Sequence, residues 1–188
     1  MLQQTQVKTV IPYFNNFTKK FKTLHSLSKS NEKEILKMWE GLGYYRRARN
    51  LLACSKELVN KYNSKLPNKL EELKKLPGIG DYTSNALLGL VHNKPTLALD
   101  GNVKRVFSRI LNIEEKKINF DKLIYKNKEN LFNTNRNADF VEALMEFGAM
   151  KCKPKDPNCL TCCLNKSCKY FKSYKKVKKL RKKMVKNK

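Results

Sequence analysis

Four of the six cysteines, Cys152, Cys159, Cys162 and Cys168, follow the spacing C-x6-C-x2-C-x5-C. Thiols crowded into one short loop can wrap a single zinc ion or an iron–sulfur cluster, and ligand chemistry alone leaves the two open. A second chemical feature is the turn Leu76-Pro77-Gly78-Ile79-Gly80. Two glycines one residue apart permit positive φ, and the helix that follows presents bare backbone N–H groups suited to an anion. As a bare feature it also reads as an ordinary helix-helix turn. The third is Asp100, followed by Gly-Asn and an apolar-periodic run, which is the signature of a helix N-cap.

The elements that must position these groups read as helices. Val7, Val10, Ile11, Phe14 and Phe17 recur at nearly helical spacing, with Pro12 expected to interrupt or restart the helix. "SNEKEILKMWEGLG" reads as a helix with Asn31 as N-cap, Glu34 three residues on, and Gly41 or Gly43 closing it. "YYRRARNLLACSKELVNKY" is a long helix with Leu51, Leu52, Leu58 and Val59 inward. Two helices flank the glycine turn in "LEELKKLPGIGDYTSNALLGLV". In "DGNVKRVFSRI", Val103, Val106, Phe107 and Ile110 share one face, and Lys104, Arg105 and Arg109 the other. "ADFVEALMEFGAM" supplies a further helix. Period-2 alternation is almost absent, so an all-α fold is expected.

A chain of 188 residues can bury one sizeable core or two modest lobes. Its 41 lysines and arginines against 16 acids give a formal charge of +25, more than solubility requires, which points to nucleic acid as partner. Lys172 to Lys188 holds ten basic residues and no acid, and its composition predicts disorder. No stretch approaches the ~20 apolar residues that span a bilayer. The start lacks the charged lead and apolar run of a secretory segment. The cysteines are then thiols or metal ligands rather than a disulfide framework, with Cys54 a packed core thiol.

With "LQQTQV", "GLGYYRRARNL", "LPGIGDYT", "LDGNVKRV", "FGAMKC" and the cysteine loop in this order, the chain resembles the adenine DNA glycosylases, which remove adenine mispaired with 8-oxoguanine. The resemblance covers about residues 1 to 170. It implies a helix-hairpin-helix DNA glycosylase fold, with a six-helix barrel lobe over 1–97 and a lobe over 98–170 bearing the Asp100 helix and a [4Fe–4S] cluster. Residues 171–188 would be a basic tail beginning a linker to a C-terminal domain similar to Nudix hydrolases. The implied partner is double-stranded DNA containing mispaired adenine, bound by a monomer in a bacterial-type cytoplasm, associated with the nucleoid.

Residue by residue, the resemblance implies that Asp100 stabilises the positive charge growing on the deoxyribose as the glycosidic bond breaks, with Asn102 orienting it. Tyr82 stands where the related endonuclease III has a lysine that forms a Schiff base; a phenol cannot, so a monofunctional glycosylase is expected. Packing against the turn is the plainer reading of that tyrosine. Gly78 and Gly80 would grip backbone phosphates. Gln4, Thr5, Leu42 and Tyr44 would surround the base opposite the flipped adenine, the glutamine and Tyr44 refilling the stack. Cys152, Cys159, Cys162 and Cys168 would hold the cluster, and Cys163, where relatives often have proline, would be a bystander.

The family's general acid, a glutamate, lies two residues before the position of Met1, so this chain is expected to be a piece of a longer protein, shortened at both ends. Loss of a general acid typically removes roughly 10²–10⁴-fold in rate. Two other readings compete. One is an endonuclease III-like glycosylase for oxidised pyrimidines, against which Tyr82 speaks. The other is a catalytically silent module that binds mismatched DNA.

Overall fold

The computed structural model describes residues 1–114, 119–126, 131–132 and 135–173, and among them every regular element is a helix. The lysine-rich tail beyond Ser173 lies outside the described residues. Two compact units divide the chain, Met1–Ser84 and Asn85–Lys188. No helix among the described residues is long and apolar enough to cross a membrane.

In the first unit, α1 (Val7–Lys20) runs through Pro12 instead of breaking there. The ring removes a single ladder N–H, and the two turns that follow are sustained by packing. Val10 and Phe17 face the core, whereas Val7, Ile11 and Phe14 are 61%, 51% and 54% exposed. The apolar stripe is therefore wider than the face this unit covers. Thr23 and Ser26 form a reciprocal capping box that starts α2 (Leu24–Ser28). Asn31 caps α3 (Glu32–Met38), its Oδ1 accepting from the Glu34 N–H at 2.9 Å. The Glu34 carboxylate pairs with Lys20 at 2.6 Å, tying α1 to α3 at the surface.

The long helix α4 (Arg46–Lys61) buries Ala48, Leu52, Cys54, Ser55 and Leu58, and packs on α2 and α3. Ile35 and Trp39, each 1% exposed, lie in the centre of this core with Leu42. Burial pushes the Cys54 thiol up, as befits a packed core group, with the Glu57 carboxylate adding to the effect. Beyond α4, the short α5 (Leu70–Lys74) and α6 (Asp81–Leu90) form the hairpin around the glycine turn.

The second unit begins within α6, at Asn85, and holds α7 (Gly101–Leu111), α8 (Phe120–Lys126) and α9 (Asn137–Glu146). Leu97, Leu99, Val103, Phe107, Phe120 and Ile124 form its core. α9 ends in a π-helical turn, Phe147–Lys151, that brings Gly148 against the first turn of α7. A Cβ at Gly148 would lie 2.8 Å from Asn102 Cβ and 3.0 Å from the Asn102 carbonyl atoms. Only glycine lets the two backbones meet this closely.

Gly148→Ala is therefore expected to cost about 1–3 kcal/mol through overpacking against backbone that cannot yield. The measurement is the denaturant midpoint at unchanged slope. Gly80→Ala is the control: a Cβ there meets nothing within 4 Å, and its midpoint should correspond to a change within about 0.5 kcal/mol.

Candidate active site and cysteine loop

Asp100 precedes α7 in extended backbone, and its Oδ1 accepts the Val103 N–H at 2.7 Å. It is the N-cap its sequence context predicts. The second oxygen, Oδ2, accepts from Asn102 Nδ2 at 3.3 Å. Asn102 is itself fixed, because its Oδ1 accepts from Arg105 Nη2 at 2.8 Å. Arg105 also donates to the carbonyls of Gly148 at 2.7 Å and Cys152 at 2.9 Å. One carboxylate oxygen is thus committed to the helix, and the other is braced through an amide to a guanidinium.

One turn further along α7, Arg109 repeats this pattern on the cysteine loop. It donates to the carbonyls of Lys153 at 2.6 Å, Pro154 at 2.9 Å and Cys152 at 3.3 Å, and reaches Cys152 Sγ at 3.4 Å. Its guanidinium lies over the Tyr170 ring, 5.4 Å from the centroid. Cys152, Cys159, Cys162 and Cys168 line one cavity together with Val106, Phe147 and Phe171. None of the four is in a disulfide, and Cys163 is exposed. Burial first, then the neighbouring sulfurs of Cys152, Cys168 and Cys162, push the Cys159 thiol up. Among the described residues, no three His, Cys, Asp or Glu side chains are placed to hold a single metal ion.

Arg105 and Arg109 are the candidate site residues that sequence reasoning missed, since it placed them only on the face opposite the apolar one. Their signal was present in the spacing: Asn102, Arg105 and Arg109 stand at i, i+3 and i+7, one stripe of a helix that starts at Asp100.

In the first unit the glycine turn follows α5. Gly78 has φ +77°, and a Cβ there would lie 2.7 Å from Asn50 Cβ on α4. Positive φ is used at Gly78 only; Gly80 does not adopt it, and its Cα faces open space. Lys74 pairs with Asp81 at 2.7 Å across the turn. Tyr82 is 36% exposed in the first turn of α6. Gln4 and Tyr44 both have positive φ, 57° and 49°. Both are exposed and line the same concavity with Gln3, Tyr45, Arg46, Arg47, Arg49 and Asn50. Thr5 hydrogen-bonds Arg47 at 3.1 Å. Leu42 differs: its side chain is 5% exposed and packs in the core beneath the turn.

The capping role of Asp100 can be tested by substitution. Asp100→Asn keeps a capping oxygen and is expected to change stability by less than about 0.5 kcal/mol, while Asp100→Ala loses the cap and about 1 kcal/mol. Thermal or denaturant midpoints of the two variants check this.

Comparison with known proteins places this geometry. A family profile described as HhH-GPD superfamily base excision DNA repair protein matches residues 1–131. An adenine DNA glycosylase of Buchnera aphidicola subsp. Baizongia pistaciae is 43% identical over 171 residues, 91% of this chain and 49% of that protein. The chain spans about half the length of the curated relatives it matches. A thermostable thymine-DNA glycosylase superposes with a TM-score of 0.82 at 28% identity, over 92% of this chain and 80% of the other. A trapped covalent intermediate of endonuclease III with DNA superposes with a TM-score of 0.75 at 25% identity, over 92% and 81%. The chain belongs to the HhH-GPD superfamily of base excision DNA repair proteins.

Proposed function

We propose that this chain forms the glycosylase portion of an adenine DNA glycosylase, which hydrolyses the N-glycosidic bond of adenine mispaired with 8-oxoguanine or guanine. The observation that carries the reading is the Asp100 carboxylate, held by Val103 N–H and braced through Asn102 to Arg105. A fixed negative charge of this kind stabilises the oxocarbenium-like sugar that forms as the base departs, without reorganising during the reaction. Asn102 orients the carboxylate. The similarity to the Buchnera adenine DNA glycosylase supplies the choice of base.

Double-stranded DNA is the partner, attracted by a formal charge of +25. The turn at Gly78 and Gly80 leads into α6, whose first N–H groups suit a backbone phosphate. Gln4, Thr5, Leu42 and Tyr44 serve the base opposite the extruded adenine. Gln4 and Tyr44 refill the vacated stack, Thr5 braces their support, and buried Leu42 sets the height of the turn. Tyr82 provides no amine, so the sugar is left as an abasic site without strand cleavage through an imine. The setting these features support is a monomer working at the nucleoid of a bacterial-type cytoplasm.

Cys152, Cys159, Cys162 and Cys168 would hold a [4Fe–4S] cluster, which when bound clamps the loop to α7. The similarity to adenine DNA glycosylases supports this choice over zinc. A tetrahedral zinc needs four sulfurs about 2.3 Å from one point, whereas a cluster takes thiolates on separate irons. Here the four line one cavity. Arg109, at Cys152 Sγ and on the loop carbonyls, is the outer support that such a site requires.

Elemental and sulfide analysis of the protein purified without oxygen should find iron and inorganic sulfide in equal amounts, about four of each per chain; one zinc and no iron would reject the cluster. Single-turnover base release, with the full-length protein in excess over duplex carrying adenine opposite 8-oxoguanine, tests the activity. Free adenine and an intact strand are expected, and Asp100→Asn should slow release by about 10²–10³-fold. Release of an oxidised pyrimidine in place of adenine would move the assignment to an endonuclease III-like enzyme. Efficient borohydride trapping of the wild-type chain on DNA would reject the role given to Tyr82.

A further inference from the structure

Arg47 belongs to α4, but most of its hydrogen bonds leave that helix. Nη1 donates to the carbonyl of Met1 at 2.6 Å and to that of Gln3. Nη2 donates to Thr5 Oγ1 at 3.1 Å and to the carbonyls of Leu42 and Gly43 at 3.3 and 3.2 Å. The guanidinium carbon also lies 5.5 Å from the Trp39 ring centroid and 5.4 Å from that of Tyr44. One planar cation therefore gathers the N-terminal turn and the turn before α4.

Both turns hold a backbone that needs outside support. Gln4 and Tyr44 have φ of 57° and 49°, a region in which such residues persist only where the surroundings over-determine it. Arg47 supplies that determination from one side chain. Its Nε is buried with no hydrogen-bond partner among the described residues, a cost consistent with the group being retained for placement. Lysine could not substitute, because its donors sit on one atom and cannot fork between two segments while stacking between rings.

We propose that Arg47 is a positioning residue that locks turn 2–5 and turn 42–45 into one arrangement before DNA arrives, so that Gln4 and Tyr44 enter the stack as a pair. The proposal rests on the reading of those two residues as the wedge. Fixing both turns in the free protein removes an ordering cost that would otherwise be met on binding, and only the extruded-base complex, which uses the wedge, gains from it.

The test compares wild type with Arg47→Lys in two ways. Hydrogen–deuterium exchange on the free protein should show peptides 2–5 and 42–45 exchanging about tenfold faster in the variant, as expected for loss of charge-assisted hydrogen bonds, with residues 50–61 protected as before. Titration of duplexes should show the preference for mispaired over fully paired DNA falling by a similar factor, while affinity for paired DNA and its salt slope are unchanged. If Arg47→Lys fails to fold, Thr5→Val removes one acceptor from the N-terminal turn and should loosen peptide 2–5 alone. Exchange that is unchanged in either turn of Arg47→Lys, or in peptide 2–5 of Thr5→Val, overturns the proposal. So does an equal loss of affinity for paired and mispaired DNA, which would make Arg47 a phosphate contact. A wild type with no preference for the mispair would reject the wedge reading, and the exchange result would still decide whether Arg47 locks the turns.

Discussion

Backbone carbonyls that leave a helix with no ladder to join must find donors, and in the second unit that need is met by two guanidinium groups of α7. Arg105 takes the carbonyls of Gly148 and Cys152; Arg109 takes those of Cys152, Lys153 and Pro154. The cysteine loop has little regular structure beyond its own turn hydrogen bonds, so these donors are what tie its start to α7. The same Arg105 holds Asn102, which holds Asp100. The candidate catalytic carboxylate and the Cys152 and Cys168 thiols are therefore parts of one polar lattice built along one helix. Gly148 is the steric condition for it, since the π turn carrying the accepted carbonyl must come against Asn102.

The first unit solves the same problem with the same side chain type. Arg47 satisfies carbonyls of two irregular turns and spreads its charge between Trp39 and Tyr44. In both units a planar cation with several donors replaces secondary structure where a loop has to present chemistry. Arginine suits this because its fork is rigid and it is weakly hydrated, so its burial is tolerable when its donors are used. Three of the seven arginines, Arg47, Arg105 and Arg109, are used in this way.

Much of this was legible in the sequence. Asn31 and Asp100 announce their helices by cap chemistry, and both accept the backbone N–H three residues on. The face of α7 carrying Val103, Val106 and Phe107 is buried as its periodicity requires. Three things were not legible. Pro12 is carried through α1 because tertiary packing outweighs one lost hydrogen bond. Val7, Ile11 and Phe14 stay exposed, because periodicity reports an apolar stripe but not how much of it a neighbour covers. Arg105 and Arg109 look like solvated charges in any helical projection. Their shared stripe with Asn102 can be read from the spacing, but the loop carbonyls they serve lie more than 40 positions away in the chain. The cysteine spacing defined a ligand set, while the cavity those cysteines line emerged only in three dimensions.

Helix α4 carries two of the closest inter-segment approaches in its unit. Arg47 gathers turns 2–5 and 42–45, and Asn50 lies under Gly78 of the hairpin turn. The two are three residues apart on a straight helix, so the helix works as a gauge block: it sets the offset between the part that would fill the base stack and the part that would hold the strand. Inserting one residue between them would turn one contact by about 100° relative to the other and move it about 1.5 Å along the axis. The stretch from Arg47 to Asn50 is therefore a place where the chain can change its letters but not its length. Any adaptation to a differently spaced duplex would have to be made in the loops at either end.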